Sequence, residues 1–311
     1  MRILLSLFVI LLLAACGAQA TPVPTPRPSA TPTPLSTALP PVDTPISLGS
    51  NARPYRLVIL SSDKTLSGSK LADFLSAQLS ATFLVEFVND EAAALTQLCS
   101  EKPSAAIMDG RSALAGLAQG CGALAFKLQD ANGGFGVKSD VFAHIGTLDK
   151  NPPRSVADLR GKDFCRLTGG DLTSWMLPAL ALRAGGVNPA VDLKGVKEFD
   201  TPEKLVQAVA DGLCAAGGLP AGTLSNYKPT LRDAELRLLT TTPEYPNGGM
   251  VISTTIPKAL ADALIDLIRK NPDQFEPLLG GSKLVEAKAD DFAGFTQFAQ
   301  SAGLNLKTIG E

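Results

Sequence analysis

The chain of 311 residues contains a single histidine, His144. That excludes His-rich metal sites, and any Ser/His/Asp or Cys/His mechanism would have to rest on this one residue. There is no CxxC pair, which removes the usual thiolate zinc sites. Neither sign of charge is in excess: 28 Lys and Arg stand against 30 Asp and Glu, a net charge of −2. A nucleic-acid binder needs a basic face to neutralise phosphates, so that class is set aside. No catalytic motif is present, and no catalytic residue, cofactor or metal is expected. The apolar run from Ile3 to Ala15 falls short of a membrane span: at about 1.5 Å per residue it covers about 20 Å of a hydrocarbon core about 30 Å thick. No short tandem repeat is present.

What the chain does have is unevenly placed proline. Nine of its 23 prolines fall between Thr21 and Pro45. A packed domain does not distribute proline in this way, so the sequence divides into a short head, a tether and a globular body. In the head, Arg2 precedes the apolar run, the charge order and length of a secretory h-region. The run ends in Leu13-Ala14-Ala15-Cys16, which resembles the lipobox of bacterial lipoproteins; the resemblance implies cleavage before Cys16 and lipidation of its sulfur. An ordinary signal peptide with a chance cysteine is the alternative. Acyl chains contribute about 0.8 kcal/mol per buried methylene, and two or three hold a protein stably on a bilayer. The tether has too few large apolar residues for a core, and its prolines bias it to polyproline II, about 3.1 Å per residue. It reads as a spacer.

The body alternates strand-like and helical runs. Strands are expected at 56–60, 83–88 and 104–108, with helices at 67–80, 90–100 and 112–119 between and after them; Asn89 or Asp90 offers a cap. The rhythm restarts with strands at 163–167, 196–199, 213–217 and 237–240 and helices at 173–184 and 202–211. The last quarter is helical, at 257–270, 272–278 and 290–302. This pattern predicts mainly parallel sheets with helices on both faces, in two α/β lobes. Four cysteines remain beyond Cys16, and four allow three pairings. Cys99 and Cys121 flank a helix of the first half, and Cys165 and Cys214 lie in strand-like runs of the second. We therefore expect Cys99–Cys121 and Cys165–Cys214 disulfides, with four free thiols as the alternative.

The second half carries a family resemblance. The segment Phe164-Cys165-Arg166-Leu167-Thr168-Gly169-Gly170-Asp171-Leu172-Thr173-Ser174-Trp175-Met176-Leu177-Pro178 resembles a motif of the phosphonate-type solute-binding proteins of ABC transporters, F-C-R-x-D-P-x-S-T-S-G-W-x-x-P. The helix that follows ends in Ala184-Gly185-Gly186-Val187-Asn188-Pro189, similar to the family's A-G-[IV]-[DN]-P. Gln207-Ala208-Val209-Ala210-Asp211-Gly212-Leu213-Cys214, Thr242-Pro243-Glu244-Tyr245-Pro246-Asn247 and Ser155–Lys162 match in order. The resemblance covers about 54–279. It implies a type-2 periplasmic-binding-protein fold, two α/β lobes with a ligand cleft and a two-segment hinge, and it supports the cysteine pairing. The expected organisation is a lipoprotein signal peptide at 1–15, the lipidated cysteine and tether at 16–50, one lobe at 51–140 plus 245–311, and the other at 141–244.

The loop at 168–174 can be argued from its residues as well. A Thr-Ser pair opening a helix aims hydroxyls and unpaired backbone N–H groups at one point, where the helix dipole adds positive potential. Thr173, Ser174 and Asp171 are therefore candidate ligand contacts; the plain alternative makes Thr173 a helix cap and Ser174 its neighbour. The family has S-T-S-G where this chain has Asp171-Leu172-Thr173-Ser174, losing hydroxyls and adding a carboxylate. The family's aromatic contact in the first lobe is replaced by Ile107-Met108-Asp109-Gly110-Arg111-Ser112-Ala113, and its Gly-His-Asp motif by Asp200-Thr201-Pro202-Glu203. Phosphonate specificity does not carry over. Asp109 and Arg111 are candidate contacts at a strand's C-terminal end, or a solvated pair. Tyr245 and Asn247 either face the cleft or serve the turn Pro246-Asn247-Gly248-Gly249. Trp175 stacks on ligand or packs between lobes, and His144 reads as a surface or hinge residue. The expected protein is a monomeric, lipid-anchored extracytoplasmic receptor that binds a small, oxyanionic or phosphonate-like ligand and delivers it to an ABC permease. A signalling or adhesion lipoprotein on the same fold is the alternative.

Overall fold

The structure, a computed structural model, describes residues 47–145, 151–230 and 236–308. Cys16, the expected signal peptide and the expected tether up to residue 46 lie outside the described residues. The first half follows the expected alternation: β1 (Tyr55–Leu60), α1 (Ser69–Leu79), β2 (Phe83–Val88), α2 (Glu91–Leu98), β3 (Ser104–Asp109) and α3 (Gly110–Ala118). Local chemistry sets these boundaries. The carboxylate of Asp90 accepts the Ala93 N–H at 2.9 Å and starts α2. The strands are apolar runs whose side chains enter cores on both faces. Leu57 and Ile59 pack with Leu71 and Leu75 of α1 on one side, while Val58 and Ala106 face Leu98 on the other. β4 (Gly122–Gln129) follows and ends the first half.

The chain then crosses through the two-residue β5 (Gly136–Val137) into a second sheet. This holds β6 (Ser139–His144), β7 (Asp163–Leu167), α4 (Leu177–Ala184), β8 (Gly195–Phe199), α5 (Pro202–Ala210), β9 (Ala216–Pro220) and β10 (Leu236–Thr241). Its strand order is β10-β6-β9-β7-β8. The chain returns through β11 (Tyr245–Pro246) to β12 (Gly248–Ser253), then forms α6 (Lys258–Lys270), β13 (Lys283–Glu286) and α7 (Ala293–Ser301). The first sheet is thereby completed in the order β13-β4-β12-β3-β1-β2. Both sheets belong to one unit, residues 46–311.

Several expectations need correction. The last quarter, expected to be helical, also holds the strand β13, which pairs antiparallel with β4 at the sheet's edge. The sheets are mixed rather than mainly parallel: β2, β1 and β3 run parallel, but β12 lies antiparallel between β3 and β4, and β6 antiparallel to β9 and β10. The reason is the double crossing, since β6 and β12 are the first strands made after each passage and run against the neighbour they join. His144 is neither a surface nor a hinge residue. It ends β6 and is 3% exposed, because that strand is flanked by β9 and β10 and covered on both faces.

Disulfides join Cys99 to Cys121 and Cys165 to Cys214, with Cα atoms 4.8 and 5.8 Å apart, inside the range a disulfide requires. The first ties the end of α2 to the start of β4. The second ties β7 to the turn before β9. Each restricts the unfolded chain and contributes about 2–4 kcal/mol.

Candidate functional site

β3 and β7 end near the crossing segments, and each hands over to a helix through the same four-residue pattern. After β3 it reads Asp109-Gly110-Arg111-Ser112, and after β7 Asp171-Leu172-Thr173-Ser174. In the first turn, Asp109 Oδ1 accepts the N–H groups of Arg111 (2.8 Å) and Ser112 (3.1 Å), and Oδ2 accepts the Ser112 hydroxyl at 2.7 Å. In the second, Asp171 Oδ1 accepts the N–H groups of Thr173 and Ser174, both at 2.8 Å, and the Thr173 hydroxyl at 2.9 Å. Its Oδ2 accepts the Ser174 hydroxyl at 2.5 Å. The helical run opens with a π turn, Leu172–Met176, before α4. Both helix starts thus hold a carboxylate of the chain itself at the point where free N–H groups and the helix dipole would attract an anion.

Asp171 responds to this setting. Partial burial works to raise its pKa, but the hydrogen bonds from Ser174 and Thr173 outweigh it and hold the carboxyl below its ordinary value. The Ser174 hydroxyl is fully buried and also accepts the Leu167 N–H at 3.1 Å, which pins the helix start to β7. The Thr173 carbonyl accepts from the Ser139 hydroxyl of β6 at 2.5 Å.

The other candidates divide into two places. Arg111 reaches Glu91 through Nε at 2.7 Å and through Nη2, and this hydrogen bonding is what raises its pKa. Tyr245 lies on β11, half-buried, with its ring edge-on to Phe295 of α7 at 5.1 Å. Burial, reinforced by the Asp109 carboxylate and opposed by Arg111, pushes its phenol up to about 12, so it is a neutral donor at pH 7. Asp109, Arg111 and Tyr245 therefore form one electrostatic group beside the crossing. Asn247 is elsewhere: its side-chain amide donates to the Gly134 carbonyl at 3.1 Å and its backbone N–H to Phe135, anchoring the 130–135 loop. Gly110 makes the close approach possible, because a Cβ there would sit 2.0 Å from the Pro246 carbonyl oxygen.

The crossing itself is a short ladder in which Val137 pairs with Tyr245 and Gly136 with Pro246. Beside it opens a cavity of about 280 Å³ whose walls come from both halves of the fold. Leu114 contributes from α3, Leu172, Trp175 and Leu180 from the turn and α4, Tyr245 from β11 and Phe295 from α7. Leu114, Leu177, Phe295 and Ala299 form a buried cluster behind it. Trp175, the single tryptophan, packs on Phe164 (5.8 Å between centroids) and carries the Arg166 guanidinium over its ring at 4.8 Å. Sequence reasoning missed this cavity. The spacing of Leu172, Met176 and Leu180, four residues apart on one helical face, was the available signal. Among the described residues no three His, Cys, Asp or Glu side chains are grouped to hold a metal, and no helix is long and apolar enough to cross a membrane.

Two α/β sheets, joined by two antiparallel crossings with a site beside them, define the type-2 periplasmic-binding class. Residues 61–301 match the model of the ABC transporter phosphonate periplasmic substrate-binding proteins, and the chain belongs to that family. Its members are substrate-binding components of ABC transporters, normally non-enzymatic. Among solved structures, a Xanthomonas citri protein bound to ATP is 14% identical, covers 80% of this chain and 96% of its own, and gives a TM-score of 0.48. A binding-protein component of an ABC phosphonate transporter from Pseudomonas aeruginosa is 17% identical, with coverages of 80% and 86% and a TM-score of 0.40. A Prochlorococcus marinus protein in complex with methylphosphonate is 15% identical, with coverages of 82% and 98% and a TM-score of 0.40. No curated protein sequence matches the chain.

Proposed function

We propose that this protein is a lipid-anchored extracytoplasmic solute-binding protein of an ABC importer. It captures one small ligand between two lobes, 51–140 plus 245–311 and 141–244, and presents the closed form to a permease without doing chemistry. The observation that carries this reading is the convergence at the crossing: α3, the 172–176 turn and Tyr245 surround one cavity whose walls come from both halves of the fold. A ligand there contacts both halves at once, which is what lets binding energy favour one arrangement of the lobes over another. The lipobox-like Leu13–Cys16 and the proline-rich tether support a chain held on the outer face of a bacterial membrane, with the body spaced away from it.

The test is a thermal-shift screen of the body (residues 47–311) against oxyanions, phosphonates, sulfonates, amino acids and uncharged solutes. A ligand present at 100 times its Kd is expected to add about 2.7 kcal/mol to stability. Stimulation of the cognate permease's ATPase by the loaded protein in proteoliposomes is the expected second result. Silence in both assays overturns the receptor reading. Cys16→Ser is expected to move the protein from the membrane fraction to the soluble one; retention in the membrane fraction would refute the anchor. A second reading, a signalling or adhesion lipoprotein on this fold, is favoured by the engagement of every Thr173 and Ser174 donor within the chain. It predicts no ATPase stimulation.

A further inference from the structure

Resting on the receptor reading, we propose that the solute is uncharged and mainly apolar and sits in the cavity beside Tyr245. Asp109 and Asp171 then serve as built-in anions that exclude phosphonate, phosphate and sulfonate from the helix starts. A helix start binds an oxyanion through unpaired N–H groups, neighbouring hydroxyls and the positive end of the dipole. Here the N–H groups at the second and third helical positions, and the hydroxyls beside them, are already engaged in both turns. Asp109 takes two N–H groups and one hydroxyl, and Asp171 takes two of each. An incoming oxyanion would displace none of them without breaking a charge-assisted set, and it would meet a carboxylate of its own sign.

The adjoining space asks for different chemistry. Its lining is mostly apolar, with Leu114, Leu172, Trp175, Leu180 and Phe295, and its uncharged polar members include Asn305 and Tyr245, whose phenol stays neutral at pH 7. Arg111 is matched by Glu91. Arg183 stands at the exposed rim, where an ion pair with solute contributes little. An apolar cavity of about 150 Å³ accepts benzene. One of about 280 Å³ therefore suits a solute of roughly twice that size with a single polar group.

Trp175 lines this cavity and is the only tryptophan in the chain, so its emission reports the site directly. The probe is 4-bromobenzyl alcohol, whose bromine quenches indole fluorescence on contact. Saturable quenching is expected, with no thermal shift from methylphosphonate or inorganic phosphate at millimolar concentration. Leu180→Arg should weaken the quenching at least tenfold. Ala179→Phe, which fills the same space without adding charge, replaces it if that variant does not fold. Unchanged quenching in the folded variant would overturn the assignment to this cavity. Saturable binding of methylphosphonate or phosphate by the wild-type protein would overturn the proposed solute class while leaving the receptor reading intact. Silence from the alcohol and both oxyanions would overturn this proposal, and silence across the wider screen would remove the receptor reading too.

Discussion

The turn after β3 and the turn after β7 are built on one pattern, Asp-x-x-Ser, and differ in how tightly they are tied to the rest of the fold. The first has two backbone donors and one hydroxyl on Asp109, and its Arg111 side chain turns outward to Glu91. The second adds the Thr173 hydroxyl, and its serine makes a further bond back to Leu167 of β7. One turn is a capped helix that abuts a crossing strand; the other is a capped helix fixed to its own sheet. The pattern sets the local conformation, and the neighbours decide how much depends on it.

Six substitutions would sharpen that contrast, each read by urea unfolding of the body. The largest effects are expected where backbone approaches leave no room. Gly110→Ala puts a methyl 2.0 Å from the Pro246 carbonyl, and Gly218→Ala puts one 2.5 Å from Pro178 and 2.6 Å from the Ser174 carbonyl. Each should cost about 3 kcal/mol, with Gly110 the worse because its clash is the closer one. Next comes the serine pair. Ser174→Ala leaves the half-buried Leu167 N–H without this partner and also loses a bond to Asp171, and should cost about 2 kcal/mol, whereas Ser112→Ala removes one bond and should cost about 1 kcal/mol. Equal losses would show that the two turns are equivalent after all.

Asp171→Asn tests the cap itself and is expected to cost about 1 kcal/mol at pH 7. Its pH dependence has a definite sign. The folded pKa of Asp171 lies below the unfolded value, so its contribution is fully present above about pH 4 and is lost as pH falls through the folded value. The variant should therefore lose less stability than the wild type on acidification from pH 5 to 2; parallel curves would contradict the assignment. The smallest effect belongs to Glu91→Gln. The Glu91–Arg111 pair is partly solvent-exposed, so the change should stay within about 1 kcal/mol and shrink further in 1 M salt.

The sequence made the first three strand–helix units legible because their apolar runs are bounded by caps and turns. It hid β4, β6 and β12. GALAFKLQ and GGMVIS are rich in small residues and lack a clear period of two, and SDVFAH is buried throughout despite its polar members. The strand expected at 213–217 lies at Ala216–Pro220 instead; Leu213 is 55% exposed and belongs to the preceding turn. At the site, Thr173 and Ser174 were visible as donors, but the acceptor they find was not. That acceptor is Asp171, two and three residues earlier, at the spacing of a helix cap. The cavity was harder to read because its walls come from segments that only the double crossing brings together. Asn247 stood out by its place near the crossing, yet what it holds is a loop more than a hundred residues away in sequence.

The ladder between Gly136–Val137 and Tyr245–Pro246 has one more consequence. Two strands running side by side and bonded in their plane resist sliding past one another, while a ribbon only two residues long flexes readily out of that plane. In mechanical terms the two halves share a leaf spring rather than a ball joint. A spectroscopic distance between the two sheets, read with and without solute, would measure how far that spring bends against the Leu177–Phe295 packing that also joins the halves.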